Sequence, residues 1–216
     1  MQLVIHCADV GSIKEGKFGW ARMAVDESGG ICSRGREIGD FADGIANDLN
    51  DGYRVAVGFE CPLFVPVPDD PAELTAGRPG EGNRSWSAVG GACSLATGLS
   101  ETVWILDHAR RRTRGSPRVS ARWAAFRDGV PGLFVWEAFV TKSSKSDGHD
   151  RDAELAVRAF NRALPEPEEQ NAIPCNGRVR SLIGAALLQT GWAKDLSWLH
   201  DPCIVVRVDG SHRKAK

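Results

Sequence analysis

Two apolar segments of this chain each end on an acidic residue, and the sequence between them predicts a helix. Residues 3–8 lead into Asp9, and residues 54–59 lead into Glu60. Apolar side chains recur every fourth position over residues 41–49, which is close to the period of an amphipathic helix. A helix that joins two strands by a crossover makes them parallel. Both acids are therefore expected at the carboxyl-terminal edge of one sheet, where open α/β sheets place their sites.

Three more segments complete the predicted sheet. Residues 18–25 and 31–38 predict two strands joined by a turn at residues 28–30, and residues 133–140 predict a strand beyond the second acid. Asp40 is the predicted N-cap of the intervening helix. This order predicts an α/β fold with a five-stranded mixed sheet, in which three antiparallel strands are followed by parallel crossovers and flanked by helices.

A long insertion separates the fourth and fifth predicted strands. It spans residues 61–131, begins with a proline-rich part, and predicts a helix over residues 90–112. The buried stripe of that helix is expected at Leu95, Leu99 and Val103. The remaining predicted elements are helices over residues 152–164 and 178–190 and a final strand over residues 203–208.

The composition is that of an ordinary globular protein. Hydrophobic residues make up 42% and charged residues 25% of the 216 positions, which suits a single domain over residues 1–216. No apolar run approaches the roughly 20 residues of a membrane helix, and the start has no basic leader, so we expect a cytoplasmic location and no membrane partner. The six cysteines show no C-x-x-C spacing and are expected to be reduced, mostly in the core. The oligomeric state is left open.

A third acid is expected to join the first two. Asp152 opens the predicted helix after the fifth strand, and that helix can return its first turn to the edge that carries Asp9 and Glu60. Three carboxylates in one pocket repel one another and need a cation. Mg²⁺ (or Mn²⁺) suits such a site, since it takes carboxylate, water and phosphate oxygens. The structural alternatives are a turn for Asp9, a loop cap for Glu60 and a plain helix N-terminal acid for Asp152.

Short motifs around these acids resemble those of RuvC-type Holliday-junction resolvases of the ribonuclease H-like superfamily. D-V-G-S from Asp9 and G-W-A from Gly19 are similar to the opening D-x-G…G-W-A of that family. F-E-C-P-L around Glu60 resembles its second acidic strand end, and H-D-R-D-A from His149 resembles its closing helix. The resemblance reaches about residue 165. It implies a divalent-metal phosphodiesterase in which Asp9, Glu60 and Asp152 bind metal and His149 transfers a proton or orients a phosphate.

A second resemblance spans more of the chain. An uncharacterised ribonuclease H-like family has an acid followed by Pro-Leu after its fourth strand and a closing S-L…A-L-L…T-G-W segment, which stands here between Ser181 and Trp192. The insertion after Glu60 does not match RuvC itself, and the chain looks closer to this uncharacterised family. This resemblance implies the same fold and brings no established reaction.

Further candidates lie in the fifth strand and in the insertion. Glu137 stands inside an apolar strand, where a buried carboxylate needs a partner, and is the candidate fourth acid of the site. Residues 77–86, G-R-P-G-E-G-N-R-S-W, follow Glu60 and are expected over the same edge, either as a surface loop or as a cradle for an anion. The candidate ligand contacts in this segment are Arg78, Asn83 and Arg84.

Positive charge is concentrated between residues 108 and 127, although the net charge of the chain is −1. Seven arginines and no acid lie in this stretch, which is interpreted either as a solvated face or as a phosphate-contacting patch on the side of the acids. Trp86 and Trp123 are the candidate base-stacking side chains. The candidate phosphate contacts are Arg111, Arg112 and Arg114.

These observations favour a Mg²⁺-dependent nuclease with a nucleic-acid partner. The first alternative is a non-catalytic ribonuclease H-like binding module. A less favoured one is an actin-like phosphotransferase, which shares the topology and the D-x-G loop but normally needs two copies of the fold. The chain has no G-x-S-x-G elbow, no Walker loop and no histidine pair at zinc spacing, which argues against those sites.

Overall fold

The structure of the chain, a computed structural model, is a mixed α/β fold built on a sheet of seven strands. The turn predicted at residues 28–30 falls mostly outside the described part of the chain, since residues 28 and 29 are not included in it. The described residues are 2–25, 30, 32–128, 130–140 and 145–208.

The amino-terminal part forms the predicted meander and the first crossover. Strands β1 (Leu3–Asp9), β2 (Gly19–Ala24) and β3 (Cys32–Gly35) pair antiparallel in chain order. Helix α1 (Ile38–Asn50) then leads to β4 (Arg54–Phe59), which lies parallel to β1. The meander and the parallel crossover are therefore confirmed.

The insertion contributes both to this sheet and to its cover. It contains the short strand β5 (Phe64–Pro66), helix α2 (Val89–Arg112), strand β6 (Arg118–Ser120) and helix α3 (Trp123–Arg127). The chain then enters β7 (Gly132–Val140), which is parallel to β4 and to β6. The insertion thus supplies a strand of the main sheet as well as its longest helix.

The carboxyl-terminal part closes the fold. Helix α4 (His149–Ala163) follows β7, strand β8 (Val179–Ser181) pairs with β5 in a separate two-stranded sheet, and helix α5 (Leu182–Gln189) comes next. Strand β9 (Val205–Val208) pairs parallel with the end of β7. The single-turn 3₁₀ helices are Ile13–Glu15, Pro71–Glu73, Pro167–Gln170 and Leu196–His200.

The main sheet has the order β3-β2-β1-β4-β7, and both β6 and β9 pair with β7. β6 pairs with the first residues of β7, and β9 pairs with its last residues, so the two short strands occupy different stretches of one edge. The prediction of five strands is therefore wrong, because β6 and β9 each add to the sheet. Parallel pairing on both sides of β7 leaves its interior almost fully buried.

Helices cover both faces of the sheet. α1, α2 and α5 share one hydrophobic cluster, whose centre includes Phe41, Ile45 and Leu106. The other face packs against α4, where Trp136 and Phe160 lie in a second cluster with ring centroids 4.7 Å apart. Two apolar faces, each covered by helices, are what holds a largely parallel sheet together.

Several predicted boundaries shift in the structure. α1 begins at Ile38 after Glu37, so Asp40 lies in the first turn and is not the N-cap. α4 begins at His149, three residues before Asp152. Residues 179–181 form a strand instead of the first turn of a helix, because the Ser181 hydroxyl accepts a hydrogen bond from the amide of Gly184 and caps α5 there.

α2 buries a different face from the predicted one. Leu95, Leu99 and Val103 are only half-buried. Among the described helices α2 alone is long and apolar enough to pass a length-and-composition test for a membrane span, which is weak evidence because core helices of soluble proteins pass it too. Its buried residues are Gly98, Glu101, Thr102, Ile105, Leu106 and Ala109.

The cysteines are all free thiols. Cys7, Cys61 and Cys203 are buried, whereas Cys93 is exposed, so only half of the six are core residues. Burial raises the pKa of the Cys7 thiol well above its usual value, and the nearby charges of Glu60 and Asp9 raise it further. Cys7 is therefore a poor nucleophile at neutral pH.

Candidate functional site

Asp9 and Glu60 lie side by side at the ends of neighbouring parallel strands. Ala8 of β1 is in register with Phe59 of β4, and the amide of Glu60 donates to the carbonyl oxygen of Ala8 at 2.8 Å. Asp9 and Glu60 are thus the next residues along each strand. The Asp9 residue is only 2% exposed, and the Glu60 side chain is 12% exposed. The crossover between β1 and β4 therefore brings the two carboxyl groups together at one edge of the sheet.

A glycine in β2 lets helix α4 approach the same edge. Gly19 pairs with Asp9, and a Cβ atom placed on Gly19 would lie 2.1 Å from the amide nitrogen of Asp150. Only glycine tolerates this approach of two backbones. The first residue of α4 then reaches the acid, since His149 Nδ1 lies 2.6 Å from Asp9 Oδ2. An ionised carboxylate can only accept a hydrogen bond, so Nδ1 donates when Asp9 is charged.

Asp152 reaches this edge from the first turn of α4. Its residue is 3% exposed, and its charge contributes to raising the pKa of Glu60. One of its oxygens is already used, because Oδ1 accepts a hydrogen bond from the amide of Ser146 at 2.6 Å. The structure therefore places Asp152 near the other acids and also gives it the turn-stabilising contact of an ordinary helix N-terminal acid.

A lysine that the sequence analysis did not single out lies among the acids. Lys145 Nζ is 3.3 Å from Glu60 Oε1. Burial lowers the pKa of Lys145, but the charges of Glu60 and Asp9 outweigh that effect and the net shift is upward. The ammonium therefore stays charged at neutral pH and balances part of the negative charge at this edge. Its position four residues before His149 is the only sequence signal that could have drawn attention to it.

The pKa values of the neighbouring Asp9 and Glu60 carboxyl groups are both raised. Burial raises the pKa of Glu60 well above its ordinary value, and the charge of Asp9 raises it further. Burial also raises the pKa of Asp9, although Lys145 and His149 oppose the shift. Glu60 Oε2 is buried and receives no donor within the described part of the chain. The pair therefore lacks one positive partner, which either a shared proton or a cation would provide.

Glu101 of α2 is a further acid beside this pair, and the sequence analysis missed it. Glu101 Oε2 accepts a hydrogen bond from the amide of Gly11 at 3.2 Å, just beyond the end of β1. Burial, together with the charge of Asp9, raises the pKa of Glu101 to about 7 against the opposing Gly11 amide. The sequence feature that could have identified Glu101 is its spacing of four residues from Ile105, which places both on the buried face of α2.

The donor set at this edge is chemically suited to a hard cation. Carboxylate oxygens are preferred by Mg²⁺, and Glu60 Oε2 is buried with no hydrogen-bond partner among the described residues. Two oxygens are already occupied, by Lys145 and by His149. In the described stretches of the chain, no group of three or more His, Cys, Asp or Glu side chains is arranged ready to hold a metal ion. A cation at Asp9 and Glu60 therefore requires Lys145, whose side chain is 40% exposed, to move aside.

A cavity of about 310 Å³ opens next to Glu60 and Lys145. Residues of the segment between Arg78 and Trp86 line the same cavity, so this part of the insertion lies beside the edge that carries the acids. Asn83 and Arg84 both line it. The predicted ligand contacts Asn83 and Arg84 therefore lie at the site.

Arg78 and Glu137, which also line this cavity, form a buried ion pair. Arg78 Nη1 and Nη2 donate to the two carboxylate oxygens of Glu137 at 2.8 and 2.6 Å, and its Nε donates to Glu81 at 2.7 Å. Glu137 also accepts the amide of Leu63 at 2.9 Å. Burial lowers the pKa of Arg78, but Glu137 and Glu81 more than reverse the shift. Both side chains are 1% exposed, and the bonds described above already occupy their polar groups. The pair therefore joins β7 to the insertion.

The basic stretch lies at the other end of the sheet. The carbonyl of Arg112 and the amide of Arg114 both bond to the side chain of Asn50, which precedes the start of β4. β4 separates that end from Glu60 by six residues, or about 20 Å. The prediction that this stretch lies on the side of the acids is therefore wrong. Arg111 and Arg112 also pair with Asp107 and Asp43, as expected of a solvated face.

The two candidate stacking tryptophans differ. Trp123 is 3% exposed and packs edge-on against Phe134 and Phe160, so it is a core residue and cannot stack on a base. Trp86 is half-buried and lines the cavity beside the acids. Only Trp86 is placed to contact a ligand there.

Comparison of the chain with protein-family models, with curated proteins and with solved structures finds no match. The geometry at the ends of β1 and β4 and at the start of α4 is thus the basis for assigning a function.

Proposed function

We propose that this chain is a ribonuclease H-like, Mg²⁺-dependent phosphodiesterase that acts on nucleic acid. The strand order β3-β2-β1-β4-β7, with three antiparallel strands followed by two parallel ones, supports the fold assignment. The observation that carries the function is the buried Asp9–Glu60 pair, which stands at parallel strand ends with one buried oxygen that has no donor among the residues that the structure describes.

Asp9 and Glu60, with Asp152 beside them, would hold the metal. When bound, the ion would polarise a phosphoryl group and stabilise a leaving oxygen. His149 is oriented by its contact with Asp9 Oδ2, which leaves Nε2 to accept or release a proton at the substrate. Lys145 neutralises the acids while the site is free of metal and is available to contact a phosphate when it is displaced.

The test is the substitution Asp9→Asn, which keeps the shape of the side chain and removes its charge. The wild-type protein is expected to cleave a mixed panel of single-stranded and structured DNA and RNA with Mg²⁺ or Mn²⁺ and to stop in EDTA. Asp9→Asn should lose cleavage by orders of magnitude. It should remain folded, since removing one of two facing carboxylates relieves repulsion.

Thermal melts separate a lost metal site from lost folding. Mg²⁺ should raise the melting temperature of the wild-type protein and of Asp107→Asn, whose carboxyl group pairs with Arg111 on the surface of α2. It should leave the melting temperature of Asp9→Asn unchanged. Equal Mg²⁺ shifts in all three proteins would remove Asp9 from the proposed site.

A non-catalytic binding module is the second candidate, and the ion pair of Lys145 with Glu60 favours it. In that case Lys145 is the permanent counter-ion of the acids. Lys145→Gln then destabilises the protein in EDTA, and Mg²⁺ does not stabilise the wild-type chain. In a metal site the same substitution should instead increase the Mg²⁺ shift, because the ammonium no longer competes for the carboxylates.

A further inference from the structure

The cavity beside the acids has a size that suits one small ligand unit. Its volume of about 310 Å³ is at the lower end of the range for small-molecule sites. Glu60 forms part of its wall, so a molecule in the cavity touches the edge where Asp9 and Glu60 meet. A base pair would not fit there, but a single unpaired nucleotide would.

The cavity is lined by three cations, Arg78, Arg84 and Lys145, and by three carboxylates, Glu60, Glu81 and Glu137. Glu81 and Glu137 are both bonded to Arg78, so the cations that remain for a ligand are Lys145 and Arg84. Lys145 lies on the acid side, and Arg84 belongs to the insertion. Arg84 Nη1 donates to the carbonyl oxygen of Val140 at 3.0 Å, which holds the guanidinium in place. Within the described part of the chain no carboxylate pairs with Arg84, and a guanidinium has further N–H donors to offer. A fixed arginine without a carboxylate partner is suited to a phosphate.

The start of α2 adds to this positive side. Gly90 and Gly91 line the cavity, and the N-cap position is Ala88, whose side chain cannot cap the helix. A Cβ atom on Gly91 would lie 2.3 Å from the carbonyl oxygen of Ser85, so only glycine lets the helix start approach residues 85–86 this closely. The positive end of the helix dipole therefore faces the same cavity as Arg84.

An aromatic ring is held on the same wall. The indole Nε1 of Trp86 donates to the carbonyl oxygen of Ala76 at 2.9 Å, and the Trp86 amide donates to the buried carboxylate of Glu81 at 3.2 Å. The Nε1 bond holds the ring, and the amide bond holds the backbone that carries it, before a ligand arrives. A fixed ring next to fixed cations is the arrangement by which proteins bind unpaired bases and their phosphates.

We propose that this cavity binds one unpaired nucleotide of a single strand, with its phosphate at Arg84 and its base against Trp86, and that Lys145 joins the phosphate contact when a metal displaces it from the acids. The assignment rests on the proposed function, because it is the neighbouring acids that make a nucleic-acid strand the expected source of the nucleotide. The strand then continues from the cavity across the edge that carries Asp9. The preferred substrates are single strands and unpaired ends, and an uninterrupted duplex is excluded.

The test is binding of a labelled single-stranded oligonucleotide in EDTA, measured by fluorescence anisotropy over a series of salt concentrations. Arg84→Gln should weaken binding and flatten the salt dependence by about 0.7 units for the lost phosphate contact. Trp86→Leu should weaken binding at least about fivefold, and Trp86→Phe should restore it, because the stacking surface returns. Arg114→Gln, at the other end of the sheet, is the control and should bind as the wild type does.

Three results would overturn the assignment. One is wild-type affinity in both Arg84→Gln and Trp86→Leu; another is equal affinity for a blunt hairpin duplex and for the single strand. The third is competition by free mononucleotides with no binding of the oligonucleotide at all, since the cavity would then serve a small metabolite. Should Arg84→Gln fail to fold in a thermal melt, the exposed cavity residue Asn83 provides a second variant, Asn83→Asp, which should weaken binding by repelling the phosphate.

Failure of the two proposals can be told apart with the same proteins. Arg84→Gln should keep the Mg²⁺-dependent rise in melting temperature, and Asp9→Asn should keep single-strand binding in EDTA. Strand binding without any Mg²⁺ effect would disprove the metal site and support the cavity. A Mg²⁺ effect with equal binding of single strand and duplex would support the metal site and disprove the nucleotide cavity.

Discussion

The buried carboxyl groups of this molecule are of two kinds, which differ in the donors that their oxygens receive. Glu137 is enclosed with a guanidinium that satisfies both of its oxygens. Asp9 and Glu60 instead face each other, and one oxygen of Glu60 has no donor in the described part of the chain. A buried charge that lacks a partner costs about 3–5 kcal/mol. We infer that the first kind stabilises the fold and that the second is kept for a ligand.

The first kind gives a prediction for stability. Arg78→Met should lower the free energy of unfolding by about 3–5 kcal/mol, because it leaves the Glu137 carboxylate buried and uncompensated. The double variant Arg78→Met/Glu137→Gln should recover a large part of that loss. Urea denaturation measures both. A single variant that costs less than about 1 kcal/mol, which is typical of a surface pair, would contradict the role of this ion pair.

His6 gives a prediction for pH. Its Nε2 lies 2.7 Å from Asp48, and burial lowers the pKa of His6 below 6.5, although the bond to Asp48 opposes the shift. The unfolded chain therefore takes up the proton first as the pH falls. The contribution of His6 to stability is complete above pH 6.5 and is lost as the pH drops toward the lower pKa of the folded state.

His6→Gln keeps a donor for Asp48 and removes the titrating group. The difference in unfolding free energy between the wild type and His6→Gln, measured at several pH values, should change below pH 6.5, with the wild type losing the more stability. A difference that does not vary with pH would show that His6 is not neutral in the folded protein.

At the scale of elements, α2 is the part of the insertion that packs against the sheet edge carrying Asp9 and Glu60. A Cβ atom on Gly98 would lie 2.5 Å from the side chain of Cys61 and 2.9 Å from Val10, so this glycine allows the helix to pack on the residues that follow β4 and β1. Three residues further on, Glu101 holds the amide of Gly11. The helix therefore fixes the loop after Asp9 from outside the sheet.

Two glycines of α2 provide a matched comparison. Gly98→Ala should destabilise the protein by about 1–3 kcal/mol through overpacking. Gly90→Ala meets no atom within 4 Å and should be neutral or stabilise by up to about 1 kcal/mol, as expected from helix propensity. Denaturant titration of both variants is the measurement. Equal effects would mean that α2 does not pack against Cys61 as described.

At the scale of the whole molecule, one short strand near the carboxyl terminus completes the sheet. β9 pairs with β7 from Glu137 to Val140, and Val205, Val206 and Val208 are buried. It therefore covers the edge of β7 next to the Arg78–Glu137 ion pair. A strand that is paired and buried in this way belongs to the cooperative core.

Hydrogen exchange provides the test at this scale. Backbone amides of β1, β4 and β7, which have a neighbour on both sides, should exchange slowest, and those of β9 should be protected nearly as well. The edge strand β3 should exchange much faster. Protection measured by mass spectrometry that is as low in β9 as in β3 would show that β9 is not part of the core.

Local patterns in the sequence were enough to predict the meander, the crossover and the two acids at the strand ends. Phe41, Ile45 and Leu49 mark the buried face of α1, and the parallel strands that a helical crossover implies place Asp9 and Glu60 at one edge. β6 could not be predicted, because three residues carry no measurable period. The stripe of α2 was misplaced because the buried face carries Gly98, Glu101 and Thr102, which do not look apolar.

The tertiary structure alone decided which distant residues share a site. Gly11 and Glu101 are 90 positions apart, and Arg78 and Glu137 are 59 apart, so no local period relates them. The tertiary structure also places the arginine stretch at the end of the sheet opposite the acids. The distribution of charge along the sequence does not indicate at which end of the sheet a residue lies. Hydrophobic periodicity determines how each element forms, whereas partners for buried charge are found only when the elements pack.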